Sequence, residues 1–368
     1  MKLKIPEYIK SIRPYKPGKP IEELEREYGI SDSVKLASNE NPLGPSPKAV
    51  NAMTETMERL HRYPDGRGYY LVEKLAGRLG VEPESIVLGN GSDEIIGMLT
   101  RVLLQAGDEA IMTAPSFLMY EIMVRCAGAV PVFVPLKSLF VDLDEMAEKI
   151  TDKTRIIFLN NPVNPTGTII TKDDFSRFME RVPEHVAVVI DEAYIEFAAD
   201  PQCLDGLAWC GQDRAVAVLR TFSKAYGLAG LRIGYGVMPE ELANLLHRVR
   251  QPFNANMLAQ AGACAALDDH DFLQRTVSHV RGELDFLYAG LERLGVNYFP
   301  SEANFFLIDV ESDADAFFEK MLIQGVIVRS MVSYGYPEYI RISAGAREEN
   351  HRFLKAFEKV INPEKGQE

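Results

Sequence analysis

The sequence has few of the residues that build disulfide-bonded or metal-binding proteins. Its 368 residues include four cysteines, none in a C-x-x-C spacing, and six histidines that show no ligand-type pairing with them. Disulfide frameworks and zinc sites need paired or closely spaced ligands. We therefore expect reduced cysteines and no metal site. His185 stands just before an apolar run and is interpreted as structural rather than as a catalytic base.

Runs of positive charge and long hydrophobic runs are missing as well. The formal net charge of −13 argues against nucleic acid or an anionic membrane surface as a partner. Charges or glycines interrupt the apolar stretches well before the roughly eighteen residues that a membrane span needs. The first six residues lack the apolar region of a signal peptide. These absences predict a cytoplasmic protein in which local clusters meet any anionic ligand.

Strand-like and helix-like segments alternate along the chain, which predicts an α/β fold with a mostly parallel, doubly wound sheet. An amphipathic pattern at 271–294 predicts a long connecting helix. We expect a large domain at 45–268 and a smaller α+β domain formed by the N-terminal arm 1–44 together with 269–368. The strand candidates are 109–112, 130–134, 155–159, 186–190, 215–219 and 232–237.

One lysine stands in a glycine-rich turn between two apolar segments. Residues 221–232 are TFSKAYGLAGLR, with AVL before them and IGYGV after them. Burial lowers the pKa of a lysine and makes its amine available as a nucleophile or base. The pattern favours Lys224 as a lysine that forms a Schiff base with an aldehyde cofactor. A lysine at the edge of the core, paired with a carboxylate, is the alternative.

Two further polar residues follow predicted strands. Asp191 ends the apolar run 186–190, at the kind of strand end that carries the ligand site in open α/β sheets. There it could keep a pyridinium nitrogen protonated, although a lone Asp in this position is often a helix cap or a metal ligand. Asn164 lies in the rigid turn NPVNPTG, where its amide could donate to a phenolate oxygen or belong to a plain turn.

A glycine-rich loop precedes the apolar helix predicted at 95–104. Its sequence, VLGNGSDE at 87–94, allows close backbone approach and directs N–H groups at an anion, as in a phosphate cradle. It lacks the G-x-G-x-x-G pattern of dinucleotide-binding proteins. The order of cradle, Asn-Pro turn, strand-terminal Asp191, Lys224 and Arg232 has one economical explanation, which is that the ligand is pyridoxal 5'-phosphate.

Two arginines near the C-terminus, Arg329 and Arg341, sit in β-type runs where a charge is unexpected. A guanidinium group fits phosphate or carboxylate with two hydrogen bonds, and a pair of them favours a doubly charged phosphate. Structural salt bridges to acidic residues are the alternative.

The sequence resembles the fold type I aminotransferases of the aspartate aminotransferase superfamily and, within them, the histidinol-phosphate aminotransferases. The Lys224 segment and the Asn164 turn are superfamily features. The stretch KLASNENPLGPSP at 35–47 and RYPDG at 62–66 are similar to the narrower family. The resemblance covers nearly the whole chain, from RPY at 13–15 to RISAG at 341–345.

This resemblance implies a role for each site residue. Lys224 forms the Schiff base and moves the proton, Asp191 pairs with the pyridine nitrogen, and the 3'-oxygen is held by Asn164 and Tyr194. Phe117 stacks on the ring, without the hydroxyl of the tyrosine that many relatives carry. The cofactor phosphate is held by the backbone of Ser92 and Asp93, the hydroxyls of Thr221 and Ser223, Arg232, and Tyr63 from the second subunit of a homodimer. The substrate is contacted by Arg329, Arg341, Tyr15 and Asn39.

The activity implied by the resemblance is a ping-pong transamination in histidine biosynthesis, between histidinol phosphate with 2-oxoglutarate and imidazole acetol phosphate with L-glutamate. An aromatic or broad-specificity amino-acid aminotransferase and a threonine-phosphate decarboxylase are alternatives of the same fold. A cofactor-dependent transcription regulator would need a DNA-binding segment, and residues 1–44 contain no basic helix-turn-helix pattern.

Overall fold

The fold is taken from a computed structural model that describes residues 3–14, 20–30, 32–211 and 214–362. Tyr15, predicted to contact substrate, lies outside the described residues. The strands in this part of the chain are β1 Val34–Lys35, β2 Ile86–Gly89, β3 Glu109–Ala114, β4 Val130–Pro135, β5 Thr154–Asn160, β6 Ala187–Asp191, β7 Val216–Thr221, β8 Gly234–Val237, β9 Tyr298–Phe299, β10 Phe305–Asp309, β11 Val326–Ile327, β12 Arg329–Ser330 and β13 Tyr339–Ser343.

The α-helices of the described residues separate most of these strands. They are α1 Glu7–Lys10, α2 Ile21–Tyr28, α3 Pro47–Thr56, α4 Tyr69–Leu79, α5 Ser92–Leu103, α6 Leu118–Cys126, α7 Leu143–Glu148, α8 Lys172–Arg181, α9 Glu240–Val249, α10 Met257–Leu267, α11 His270–Leu294, α12 Ala314–Ile323 and α13 Arg347–Ile361. The long helix predicted at 271–294 is α11, which begins one residue earlier.

A seven-stranded sheet forms the centre of the fold, in the order β2-β8-β7-β6-β5-β3-β4. Neighbouring strands from β4 to β7 pair in parallel, whereas β8 pairs antiparallel with both β7 and β2. The predicted strand at 232–237 begins only at Gly234, because Arg232 has a left-handed backbone with φ of 57°. The other predicted strands agree with the structure within two residues at each end.

Successive residues of the central strands face opposite sides of the sheet, as the period of two requires. Ile156 and Phe158 join the apolar cluster under α5, α6 and α9, while Ile157 and Leu159 join the cluster under α7 and α8. Since helices cover both faces, β5 is apolar almost throughout. The predicted α/β, doubly wound and mostly parallel fold is confirmed.

A second group of strands lies in the C-terminal third of the chain. Its four-stranded sheet has the order β12-β13-β10-β9, and β1 of the N-terminal arm pairs in parallel with β11. One apolar cluster joins residues of α11, α12 and α13 to this sheet. Strand β1 of the N-terminal arm thus contacts the C-terminal part, while the domain limits 1–44, 45–268 and 269–368 remain a prediction. In the described ranges, no helix is both long and apolar enough to cross a membrane, and a cytoplasmic location remains a prediction.

Candidate active site

One cavity gathers the residues that the sequence singles out for cofactor binding, with Tyr63 as the exception. It lies at the carboxyl ends of the parallel strands β5, β6 and β7, where ligands bind in open α/β sheets. Its lining consists of Ser92, Asp93, Phe117, Asn160, Asn164, Asp191, Ala193, Tyr194, Thr221, Ser223, Lys224 and Arg232. The predicted residues therefore meet, while their individual roles remain predictions.

Lys224 follows the end of β7 in a turn that close contacts hold in place. A Cβ atom on Gly227 would overlap the carbonyl oxygen of Gly44, and Gly227 has φ of +69°, so this position requires glycine. The Lys224 Nζ donates to the backbone oxygen of Ser38 at 3.3 Å. Burial, followed by the positive charge of Arg341, lowers the pKa of Lys224 to about 8. A sizeable fraction of the amine is therefore neutral at physiological pH.

Asp191 ends β6 with a carboxylate that is almost completely buried, at 4 % exposure. Asn160 holds the backbone at this point, because its Nδ2 donates to the backbone carbonyl oxygen of Asp191 at 2.8 Å. The carboxylate Oδ2 accepts a hydrogen bond of 2.7 Å from the Tyr120 hydroxyl, whereas Oδ1 is buried without a hydrogen-bond partner. Burial raises the Asp191 pKa to about 6, and the Tyr120 hydrogen bond opposes that rise.

The unsatisfied oxygen of Asp191 tests whether pyridoxal phosphate fits the cavity. Buried carboxylate oxygens in native proteins almost always have a donor. The protonated ring nitrogen of a pyridine supplies one donor, and an ionised carboxylate is the acceptor it needs. The residues present therefore fit a pyridine ring placed with its nitrogen toward Asp191.

A cluster of hydrogen-bond donors lies at the start of α5. This helix begins at Ser92, directly after Gly91, so its first N–H groups face the cavity. The guanidinium of Arg232 lies beside them, 3.4 Å from the Ser223 hydroxyl and 3.2 Å from the Asp93 carboxylate. A Cβ atom on Gly91 would come within 2.6 Å of Arg232 Nη2, which explains the glycine.

Arg341 and Asn39 lie behind the cavity lining, where they contact Asn164 and Tyr194 of that lining and connect distant segments of the chain. Arg341, which is 6 % exposed in β13, donates from Nη1 to Asn164 Oδ1 and from Nη2 to the Ala37 oxygen, the latter at 3.1 Å. Since the Asn164 oxygen is engaged, its Nδ2 is the group that Asn164 can offer to a ligand as a donor. The Tyr194 hydroxyl accepts from Asn39 Nδ2 at 3.1 Å.

Asn39 and Arg329 are each next to one residue of this group: Asn39 bonds to Tyr194, and Arg329 pairs with Arg341 across the sheet. Asn39 is 2 % exposed and also accepts from the Ser343 hydroxyl at 2.9 Å, so its side chain holds Tyr194 and β13; a contact with substrate remains a prediction. Arg329 stands directly opposite Arg341 in the antiparallel register of β12 and β13. Cross-strand partners project from the same face of a sheet, which brings the two guanidinium groups to one side.

Tyr63 lies outside the cavity, on the surface. Its side chain is 81 % exposed and stacks on Phe253 with a centroid distance of 4.7 Å. Four exposed apolar side chains lie near it in the sequence, and we call them together with Tyr63 the Tyr63 face: Met57, Leu60, Tyr69 and Tyr70. Tyr70 lines the same surface groove as Tyr63.

Two residues of the site escaped the sequence interpretation. Tyr120 reaches Asp191 from helix α6, and Asn160 bridges Asp191 to the Asn164 turn by accepting from Asn164 N at 2.6 Å. Asn160 could have been recognised as a site residue because it is a polar residue at the end of an apolar strand. For Tyr120 the only signal was its position three residues after Phe117.

Known proteins are similar to this chain over nearly its whole length. Residues 31–357 match the family model for aminotransferase class I and II. Histidinol-phosphate aminotransferase of Desulfotalea psychrophila is 50 % identical over 97 % of this chain and 95 % of its own length. The Moorella thermoacetica protein of the same name is 46 % identical over 96 % and 92 %.

A solved structure extends the likeness to the fold. The histidinol-phosphate aminotransferase of Sinorhizobium meliloti, in complex with pyridoxal-5'-phosphate, superposes with a TM-score of 0.89 at 28 % identity and covers 97 % of both chains. The chain therefore belongs to the class I and II aminotransferases and, among them, to the histidinol-phosphate aminotransferases.

Proposed function

We propose that the protein transfers the amino group between histidinol phosphate and 2-oxoglutarate, using pyridoxal 5'-phosphate held in the cavity around Lys224. Family membership supports transamination. The substrate is supported by one observation of this structure, the register of Arg329 opposite Arg341, whose guanidinium contacts Asn164 of the cavity lining. Two guanidinium groups match the double charge of a phosphate ester better than a single carboxylate.

The cofactor, when bound, supplies an aldehyde that captures the substrate amine and a ring that accepts the electron pair of the broken Cα–H bond. The start of α5, with Ser223, Thr221 and Arg232, would hold the phosphate. Asn164 Nδ2 and the Tyr194 hydroxyl would hold the ring oxygen, and Phe117 would cover one ring face. Each assignment rests on the position of that side chain in the cavity lining.

The proton steps fall to Lys224 and Asp191. The pKa of the Lys224 amine is lowered to about 8, so Nζ can accept the proton from the substrate Cα and would deliver it to the aldehyde carbon of the cofactor. The pKa of Asp191 is raised to about 6. Asp191 is therefore mostly ionised near neutral pH, and its negative charge would keep a ring nitrogen protonated.

We also propose a homodimer that uses the Tyr63 face. Its exposed aromatic and aliphatic side chains form the kind of apolar patch that marks a protein–protein interface. A second chain on this face would carry its own Tyr63 toward the phosphate site of the first. Sedimentation of the chain and of Tyr63→Asp would test the assembly: the substitution should give monomers if the proposal holds.

The substrate proposal is tested by titrating the holoenzyme with L-histidinol phosphate, L-histidinol and L-phenylalanine while the absorbance of the bound cofactor is recorded. We expect only the phosphate ester to change the spectrum at roughly micromolar concentrations. Arg329→Lys should weaken this response more than it weakens any response to L-phenylalanine. Equal responses to all three compounds would instead identify an aromatic or broad-specificity aminotransferase. Release of carbon dioxide from threonine phosphate would identify a decarboxylase.

A further inference from the structure

Tyr120 lies beneath the cavity with its hydroxyl on Asp191. It belongs to α6, is 1 % exposed, and donates to Asp191 Oδ2 at 2.7 Å. Its ring stacks on Phe158 with centroids 4.8 Å apart and planes 7° apart. A buried, stacked ring has little freedom to turn, so the position of the hydroxyl is fixed by the packing of the large sheet.

The hydrogen bond from Tyr120 makes the two carboxylate oxygens of Asp191 different. Oδ2 is taken by Tyr120, and Oδ1 is buried without a hydrogen-bond partner. A carboxylate that rotated about its χ2 angle would exchange these oxygens. A short hydrogen bond to an ionised carboxylate opposes that rotation because charge-assisted bonds are the stronger ones. Tyr120 thereby leaves Oδ1 as the oxygen that can receive a ligand.

Tyr120 also contacts a second residue of the cavity lining, Phe117. Its ring lies edge-on to Phe117, with centroids 5.6 Å apart and an interplanar angle of 85°. Phe117 and Asp191 both line the cavity. Tyr120 is not part of the cavity lining, yet it contacts both the carboxylate and the aromatic ring that would lie next to a pyridine in the cavity.

We propose that Tyr120 is a positioning residue for the cofactor ring: its hydroxyl holds Asp191 so that Oδ1 points at the ring nitrogen, and its ring holds Phe117. This inference rests on the proposed function, because it assumes that a pyridine occupies the cavity. It assigns two separable contributions to Tyr120, one from the hydroxyl through Asp191 and one from the aromatic ring through Phe117.

Tyr120→Phe separates these contributions, because it removes the hydroxyl and keeps the ring. We would strip the full-length chain of cofactor and measure its affinity for pyridoxal phosphate and for the 1-deaza analogue, in which a C–H group replaces the ring nitrogen. The variant should bind pyridoxal phosphate about tenfold more weakly than the unmodified chain, as expected for one charge-assisted hydrogen bond. Its affinity for the 1-deaza analogue should change less than about twofold.

Tyr288→Phe is the matched control, since it removes a tyrosine hydroxyl that accepts from the Ser301 backbone at 3.1 Å, and neither residue belongs to the cavity lining. It should leave both affinities unchanged. Equal losses for the two ligands in Tyr120→Phe would show a general structural role and overturn the inference, as would an unchanged affinity for pyridoxal phosphate. If the unmodified chain bound neither compound, the proposed function itself would fail.

Asp191→Asn provides a second measurement should Tyr120→Phe lower the melting temperature. In the Asp191→Asn background, adding Tyr120→Phe should not weaken pyridoxal phosphate binding further, because the hydroxyl acts through the carboxylate. Additive losses in the double variant would contradict the assignment.

Discussion

Replacing Lys224 by methionine should stabilise the cofactor-free chain near pH 7. Methionine has a similar length and no charge, so the substitution removes the ammonium group and keeps most of the packing. In the folded chain the pKa of Lys224 is lowered to about 8 from the ordinary 10.5, chiefly by burial and then by Arg341. The charged form of the Lys224 amine therefore has a higher free energy in the folded chain than in the unfolded chain, which lowers the free energy of unfolding.

The size and the pH window of this effect follow from the two pKa values. Between pH 8 and 10.5 the unfolded chain binds more protons than the folded chain, so the free energy of unfolding rises with pH across this window. Since one pKa unit corresponds to about 1.4 kcal/mol, the cost below pH 8 is at most about 3 kcal/mol. The amine faces a cavity that admits water, which screens the charge, and we expect a gain of about 1–3 kcal/mol from Lys224→Met.

The assay is equilibrium unfolding in urea of both cofactor-free chains at a series of pH values. Only the difference between the two chains at each pH is used, so that other titrating groups cancel. The gain should be full near pH 7, begin to fall above pH 8 and approach zero near pH 10.5. Competitive labelling of amines, read by mass spectrometry, should independently give Lys224 a midpoint near pH 8.

The control is Lys74→Met. Lys74 forms a salt bridge with Asp268 and has a raised pKa, with burial opposing the effect of the side-chain hydrogen bond. Its replacement should destabilise the chain slightly, by less than about 1 kcal/mol. The lowered pKa of Lys224 would be refuted if the difference in free energy of unfolding between Lys224→Met and the unmodified chain did not change with pH. It would also be refuted if Lys224→Met were the less stable chain near pH 7, because burial would then not disfavour the charged amine.

Three other substitutions test the surroundings of the site. Glu192→Gln should lower the free energy of unfolding in urea by about 2 kcal/mol, because it removes the charge from a buried ion pair of 2.7 Å with Arg220 and leaves the guanidinium only its 3.0 Å pair with the more exposed Asp205; a loss below about 0.5 kcal/mol would contradict this. Arg232→Lys should weaken equilibrium binding of pyridoxal phosphate about tenfold or more by removing the guanidinium fork, and unchanged binding would show that Arg232 does not hold the phosphate. Gly227→Ala should lower the melting temperature by several degrees, because its Cβ would meet the Gly44 backbone; an unchanged value would show that this turn can relax.

Local patterns predicted the sheet and part of the cavity lining, namely the loop at 87–94, Asn164, Asp191, Lys224 and Arg232. The family resemblance supplied the remaining predicted residues of the lining, which are Phe117, Tyr194, Thr221 and Ser223. The buried strands β5 and β6 are uninterrupted apolar runs, and each ends in a polar residue at the carboxyl edge of the sheet. Parallel pairing places Asn160 directly beside Asp191. Once the strand order is that of a doubly wound sheet, residues at neighbouring strand ends must converge.

Contacts that depend on side-chain direction across the fold were not predictable in the same way. Tyr120 lies 71 residues before Asp191 in the chain and reaches it from a helix. In the sequence it is one aromatic residue of an amphipathic segment, and core packing explains such a residue equally well. The left-handed backbone at Arg232 likewise has no local signal, because arginine seldom adopts φ of 57°. Arg232 directly follows the short helix 229–231, and its guanidinium contacts Ser223 and Asp93.

Arg341 shows how the cavity depends on such long-range contacts. One guanidinium binds the Asn164 turn of the large sheet, the Ala37 backbone of the N-terminal arm, and the face of Phe305, 5.0 Å away, in the small sheet. Replacing Arg341 would therefore remove a proposed substrate contact and also release three segments that shape the cavity. Arg329 occupies the register position opposite but has greater exposure. A change in KM at Arg329 is consequently the cleaner measure of phosphate recognition, whereas a change at Arg341 combines recognition with the organisation of the site.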